Sequence, residues 1–390
     1  MLTVTVTVVF RFSHLSTGAI LESAHQPCFA LNLPSKIFMC SLWQSVTTKQ
    51  MMSKEEIINQ LSRMPFTPHP AIRNAHSQTL AGTLIRRRFK LVTEHSEPRI
   101  FDSAPGIKVL AHCSWQKERA STPTLLIVHG MEGSTESRYM LGTADKALEA
   151  GFNVVRVNFR NCGGTEHLTP TLYHAGLTDD IRQIIAELIE RDKLNEIYLA
   201  GFSLGGNVVL KLAGEYGQSV PPQLRGVAAV SPSIDLESCA DAIEMRSNII
   251  YHTRFIWSLR SRLRRKAKLF PDRYDPSHLR GIWTIRKFDD VYTAPHMGFR
   301  NVAHYYERAS ALPFIKHITA PTLIIHAKDD PFIPFAPFER PEVAMNPNVA
   351  LLATDHGGHV GFVSANADGD KRFWAEMMLV EFVRLMTQRN

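Results

Sequence analysis

A serine between two glycines, Gly201-Phe202-Ser203-Leu204-Gly205, stands where the apolar run Glu196 to Gly201 gives way to a helical pattern opening at Gly205. A G-x-S-x-G turn in that setting holds the hydroxyl out of a sheet edge at a helix N-terminus, where partial positive charge favours a developing oxyanion. The glycines answer a steric need, since a Cβ on either side would collide with neighbouring backbone. Serine is a weak nucleophile at neutral pH and needs a histidine base, which in turn needs a carboxylate to fix its tautomer. Asp330 follows the buried run Pro321 to His326, at the carboxyl end where open α/β sheets place ligand-facing groups. Its neighbour Asp329 is the rival acid and fits better as a residue tying down the turn. His359, in Asp355-His356-Gly357-Gly358-His359-Val360-Gly361-Phe362, is the candidate base, with His356 as its alternative. The order Ser203, Asp330, His359 is the one this turn's architecture demands. Two backbone N–H groups are expected to receive the oxyanion, that of Leu204 and that of Met131 in His129-Gly130-Met131-Glu132-Gly133.

Elements must exist to carry these groups, and from Thr124 onward short apolar runs alternate with longer amphipathic segments, the pattern of parallel strands joined by crossover helices. Strands are expected at Thr124 to Val128, Asn153 to Asn158, Glu196 to Gly201, Gly226 to Val230, Pro321 to His326 and Val349 to Thr354. Helices are expected at Ser137 to Ala150, Asp179 to Arg191 with Thr178 as N-cap, Gly205 to Tyr216 and Phe373 to Thr387. Upstream, Lys90 to Val92 and Ile107 to Trp115 read as extra antiparallel strands. The fold class is α/β, with a mostly parallel central sheet, helices on both faces, and residues 232–319 as an inserted helical cap.

The 390 residues are 44% apolar and 21% charged, which excludes disordered and collagen-like classes and lets residues 51–390 form one large domain. Residues 1–50 read as a poorly ordered extension: no stretch there reaches the roughly 18 apolar residues of a membrane span, and no basic leader precedes the opening Thr/Val run. Five scattered cysteines (Cys28, Cys40, Cys113, Cys162, Cys239) form no CxxC pair and no zinc spacing. They read as reduced thiols in a cytoplasmic protein, Cys162 as a packing residue, and no metal or organic cofactor is called for.

Beyond the serine turn, several runs together resemble the YheT-like branch of the α/β-hydrolases, the AB hydrolase 4 family. They are Asn74-Ala75-His76-Ser77-Gln78-Thr79-Leu80 before Arg86-Arg87-Arg88, Val157-Asn158-Phe159-Arg160-Asn161-Cys162-Gly163-Gly164, Thr169-Pro170-Thr171-Leu172-Tyr173-His174, Asp329-Asp330-Pro331-Phe332, and His356 to Phe362. The likeness spans roughly Pro65 to Val383. It implies an α/β-hydrolase fold and a serine carboxylesterase or lipase-type activity on short- to medium-chain or lipid-like acyl esters, with Ser203 as nucleophile, Asp330 as acid and His359 as base. An alcohol acyltransferase using the same acyl-enzyme is one alternative, and a non-catalytic binder of a lipid or a partner is another. Dehalogenase and epoxide hydrolase chemistry would want aspartate at position 203.

The net charge of +7 is concentrated: nine bases against Asp272 and Asp275 lie between Tyr251 and Arg280. With Phe255, Ile256, Trp257, Leu259 and Leu263 interleaved, residues 254–273 could lie on an anionic membrane or steer an acidic head group. The competing reading is a solvated helix whose aromatic side packs inward while its arginines pair with distant carboxylates. No nucleic-acid recognition fold accompanies the charge.

Overall fold

A computed structural model describes residues 52–365, 367 and 369–388. The extension expected at 1–50 lies outside the described residues.

The strands β1 (Glu97–Ala104), β2 (Ile107–Ser114), β3 (Thr124–Val128), β4 (Asn153–Val157), β5 (Ile197–Phe202), β6 (Leu224–Val230), β7 (Thr322–Ala327) and β8 (Val349–Thr354) form one sheet in the order β1-β2-β4-β3-β5-β6-β7-β8. From β4 to β8 every pairing is parallel, while β1 and β2 join antiparallel at one edge. The strands β3, β4, β5 and β7 are buried end to end, which explains their largely apolar sequences, broken chiefly by buried Asn153, Arg156 and His326. Alternation then splits their side chains between two layers. Leu126, Val128, Leu199 and Val227 meet the helices α4 (Asp179–Glu190) and α5 (Leu204–Tyr216). Leu125, Ile127, Ala200 and Ala228 meet α1 (Lys54–Leu61), α3 (Arg138–Glu149) and α9 (Trp374–Thr387) on the other face.

One expectation is corrected at the antiparallel edge. Lys90 to Val92 is not a strand: Lys90–Glu94 is a short helix whose Val92 N–H donates to the Asp145 carboxylate instead of to a ladder. The strand beside β2 is β1, which the sequence conceals because Phe101 alone of its residues is buried. Thr178 occupies the N-cap position of α4 as expected, but its hydroxyl donates to Glu215 and makes no cap hydrogen bond.

Between β6 and β7 run α6 (Leu236–Ile243), the 21-residue α7 (Ile249–Leu269) and α8 (Val302–Ala309), with shorter turns between them. Tyr251, Ile256, Leu259, Leu263, Tyr274, Phe288 and Tyr292 gather there into a hydrophobic cluster of their own. Ahead of β1, α2 (Ala75–Leu84) starts at Asn74, whose side chain accepts the His76 N–H. No helix among the described residues is long and apolar enough to cross a membrane.

Candidate active site

The chain turns from β5 into α5 at a single residue, Ser203, held at φ 53° and ψ −118°. For a residue with a Cβ that conformation is strained, and the packing around it explains why it persists. A Cβ at Gly201 would strike the Gly205 carbonyl, and one at Gly205 would strike the carbonyls of Val128 and His129. The two glycines therefore let β5, α5 and the end of β3 close on one another with the serine at the apex.

The sequence-selected acid and base meet this apex. His359 Nε2 lies 2.9 Å from Ser203 Oγ, and His359 Nδ1 lies 2.8 Å from Asp330 Oδ2. The other Asp330 oxygen accepts the N–H groups of Phe332 at 3.1 Å and Ile333 at 3.0 Å, so one oxygen anchors the turn and the second faces the ring. The Asp330 side chain is fully buried and the His359 side chain nearly so. With Nδ1–H donated to Asp330, the Nε2 lone pair is free to accept the serine proton. Asp329 and His356 form a separate pair: His356 Nδ1 lies 3.3 Å from Asp329 Oδ2, Asp329 Oδ1 takes the Gly358 N–H at 2.9 Å, and Arg73 donates to His356 Nε2. Both rivals thus tether the loop that carries His359 and do not touch Ser203.

That loop is clamped from the amino-terminal side. His359 N–H donates to Thr79 Oγ1 at 2.8 Å, and Gln78 exchanges two hydrogen bonds with the Val363 backbone. A Cβ at Gly358 or Gly361 would strike the carbonyls of Ala75 or Gln78, so these glycines allow α2 to sit directly on the loop. The spacing of chemical groups in the sequence does not point to Gln78 and Thr79; their only signal is the run Asn74 to Leu80. Ser231, which accepts the Val360 N–H, gave none.

Residues 129–133 supply donors beside Ser203. Buried His129 has its pKa pushed down to about 4 by desolvation, so its ring is neutral. It accepts the Phe159 N–H at Nε2 and donates from Nδ1 to the Gly130 carbonyl at 2.7 Å. Because a trans peptide points its N–H opposite to its C=O, pinning the Gly130 carbonyl turns the Met131 N–H away from His129. The N–H groups of Gly130 and Glu132 donate to Tyr139 and Tyr173, and that of Gly133 to the Gly130 carbonyl. Among the described residues the Met131 N–H meets no acceptor, and neither does that of Leu204, the first residue of α5.

Glu132 anchors this loop to α7. At φ 55°, it receives Arg262 Nη1 at 3.0 Å, the Tyr173 hydroxyl at 3.0 Å and the Ser258 hydroxyl at 2.7 Å. Burial by itself lowers the Arg262 pKa, but the charge of Glu132 beside it more than reverses this, so the guanidinium stays charged. Cys162 nearby is no rival nucleophile, because burial raises its thiol to about 12.

Two cavities open from Ser203 and His359, sharing Met131, Phe255 and Phe332. One, of about 800 Å³ with its mouth included, is lined mainly by apolar groups such as Leu236, Ala240, Ile243, Leu259 and Ile285, with Asp289 and Tyr306 among its polar members. The other, of about 1260 Å³, is more polar and includes Thr79, Ser137, Arg138, Tyr139, Arg254 and Ser258. No group of three or more His, Cys, Asp or Glu side chains suited to a metal ion occurs among the described residues.

Comparison with known proteins places this geometry in a family. Residues 123–365 match the model of the alpha/beta hydrolase fold. The Escherichia coli protein named "Putative esterase YheT" is 31% identical over 77% of this chain and 88% of its own length. The human protein named "Phospholipase ABHD3" is 28% identical over 63% of this chain and 60% of its own length, so this chain spans about three-fifths of that relative. Among solved structures, the Pyrococcus furiosus esterase Pf2001 superposes with a TM-score of 0.51 at 16% identity, covering 77% of this chain and 96% of that one, a likeness of fold. The chain therefore belongs to the α/β-hydrolase family, in the branch that includes YheT.

Proposed function

We propose that this chain is a serine carboxylic ester hydrolase acting on short- to medium-chain or lipid-like acyl esters. The observation that carries the reading is the continuous chain of contacts from Asp330 through His359 to Ser203, at a strained turn between two cavities, one mainly apolar and one more polar. The acyl chain lies in the apolar cavity and the alcohol portion in the polar one. His359 Nε2 takes the Ser203 proton as Oγ forms a bond to the ester carbon, and the carbonyl electrons move onto oxygen. The oxyanion receives the Met131 and Leu204 N–H groups, each donor being worth about 3 to 4 kcal/mol in the barrier. Collapse breaks the C–O bond to the leaving alcohol, which takes the proton from His359. Water, deprotonated by the same ring, then attacks the acyl-serine and releases the acid.

Residues 232–319 act as a cap, supplying Leu236, Ala240, Ile243, Leu259 and Ile285 to the acyl cavity. We place the protein in the cytoplasm, on the strength of three described cysteines that are all unpaired.

A fluorophosphonate probe tests the nucleophile. Wild-type protein is expected to label and Ser203→Ala not to, with hydrolysis of p-nitrophenyl esters falling on the order of 10⁴-fold or more. Folded wild type that neither labels nor hydrolyses any ester of the series is instead a binding protein. The polar cavity beside Ser203 would also seat an acceptor alcohol, which favours acyl transfer as a second activity. Added alcohol diverting product from free acid to ester is its sign.

A further inference from the structure

The helix α7 contains seven bases and no acid, and the fold uses them in two ways. Arg262 and Lys266 point inward, the first to Glu132 and the second to the carbonyls of Glu166 and Thr169. Arg265 pairs with Glu166, and Arg260 donates to the Ile282 carbonyl while lying over the Trp283 ring. Arg254, Arg264 and Lys268 are exposed and have no hydrogen-bond or ion-pair partner among the described residues.

Helical spacing sets these three beside apolar groups. Residues seven apart are nearly two turns apart and stand in a row, so Ile250, Trp257 and Arg264 form one outward row, with Arg254, Ser261 and Lys268 beside it. Trp257 is 69% exposed and Ile250 72%, values unusual for such large apolar side chains. Nor are they isolated: Met245, Ile249, Leu269 and Trp283 are also exposed, all within residues 245–283. The opposite face of α7, through Tyr251, Ile256, Leu259 and Leu263, packs into the hydrophobic cluster beneath. Burial thus fixes the helix with the apolar and basic stripe outward.

We propose that the outward face of α7 is a docking surface for an anionic lipid bilayer. Indole rings and an isoleucine among unpaired cations match the interfacial layer of a membrane, where apolar side chains enter the acyl boundary and bases meet lipid phosphates. A nucleic acid would use the cations and leave the aliphatic groups in water, so lipid is the better fit. The location has a use: Phe255 of the same helix borders both cavities, and Leu80 of α2, itself exposed, lines the polar one. Docking on this face holds the cavity mouths beside the bilayer. The inference does not rest on Ser203 chemistry, and its test is separable from that reading.

The full chain carrying Ser203→Ala is sedimented with vesicles of pure phosphatidylcholine and with vesicles of phosphatidylcholine and phosphatidylserine in equal parts. Binding is expected to the anionic vesicles and to weaken as salt is raised. Each base near an anionic surface is worth about fivefold in binding, so Arg264→Gln with Lys268→Gln should weaken it on the order of 25-fold. Adding Trp257→Ser should weaken it further. With Ser203 restored, the triple variant is expected to hydrolyse a water-soluble short-chain ester as wild type does. Should the triple variant fail to fold, the charge-only pair with Trp257 retained gives the same comparison. Equal binding to the two vesicle types, or variants that bind as tightly as the parent, overturns the proposal. So does binding to an oligonucleotide that the substitutions abolish while vesicles are ignored.

Discussion

The buried pair between Glu132 and Arg262 makes a sharp prediction, because it joins the loop of the proposed oxyanion donor Met131 to α7. The two side chains are 7% and 5% exposed, and Glu132 takes hydrogen bonds from Tyr173 and Ser258 besides the guanidinium. Glu132→Gln removes the charge without removing the shape, leaving Arg262 in a low-dielectric site without its counter-ion. Removal of one partner from a buried pair costs about 3 to 5 kcal/mol, whereas replacing both by apolar groups of similar volume is often neutral or stabilising. Glu132→Gln is therefore expected to lower the denaturant midpoint strongly, and Glu132→Gln with Arg262→Met to recover much of the loss. Activity should not recover with it. Met131 precedes Glu132 directly, and residue 132, at φ 55°, still lacks in the double variant its side-chain tie to Arg262 of α7. Loss of one oxyanion donor costs on the order of 10² to 10³ in kcat, which bounds the effect from above. The assays are urea unfolding and steady-state hydrolysis of a soluble p-nitrophenyl ester, with kcat and KM determined separately. A double variant as unstable as the single one would refute the electrostatic account. A stable double variant with wild-type kcat would refute the coupling of α7 to the loop.

Three further expectations rest on single contacts. Asp330→Asn should lower kcat on the order of 10⁴-fold by disturbing the His359 tautomer, while Asp329→Asn should act through stability with a much smaller loss of kcat; comparable losses would erase the division between the two acids. His129 and His326 have folded pKa values pushed down to about 4 by burial, against an ordinary 6.5, so the unfolded chain binds their protons first. Their contribution is fully present above about pH 6.5 and is lost as pH falls towards 4, up to about 3 kcal/mol each. Asp289, raised to about 6 by burial, works in the opposite direction from pH 6 down to its ordinary 3.8. Urea midpoints between pH 7 and 4 should therefore fall, and His326→Phe should flatten the slope; an unchanged slope in that variant contradicts the assignment. Gly142→Ala, normally favourable within a helix by about 1 kcal/mol, should destabilise this one, because the new methyl group would strike Arg87 and Glu376. Arg87 is buried there between Asp370 and Glu376, at 2.6 Å from each. A higher melting temperature for Gly142→Ala would count against that packing.

How much of this was legible in the residues depends on how far apart the interacting groups lie. The central strands and the serine turn announce themselves locally, because strands buried on both faces read as unbroken apolar runs and a strained turn demands glycine at fixed offsets. The choice of Asp330 and His359 follows from strand ends and chain order, and the fold brings both residues to Ser203. What stayed hidden was set by partners far away in sequence. Arg262 and Lys266 look like surface bases, and their burial depends on Glu132, Glu166 and Thr169, roughly a hundred residues upstream or more. Strand β1 has too little buried apolar area to leave a periodic signal. Lys90 to Val92 has strand-like composition, but its short helix is fixed by a bond to Asp145.

The fit of α2 on the histidine loop has a consequence for how activity arises. Thr79 and Gln78 fasten backbone that lies some 280 residues downstream, so His359, the proposed base, is seated by a segment ahead of every strand in the sheet. A shortened protein beginning at the matched core, residue 123, would retain Ser203, Asp330 and His359, the proposed triad, and six of the eight strands while leaving the imidazole without its latch. Competence would then require α2 to meet the last loop, so that both ends of the described chain join at one imidazole.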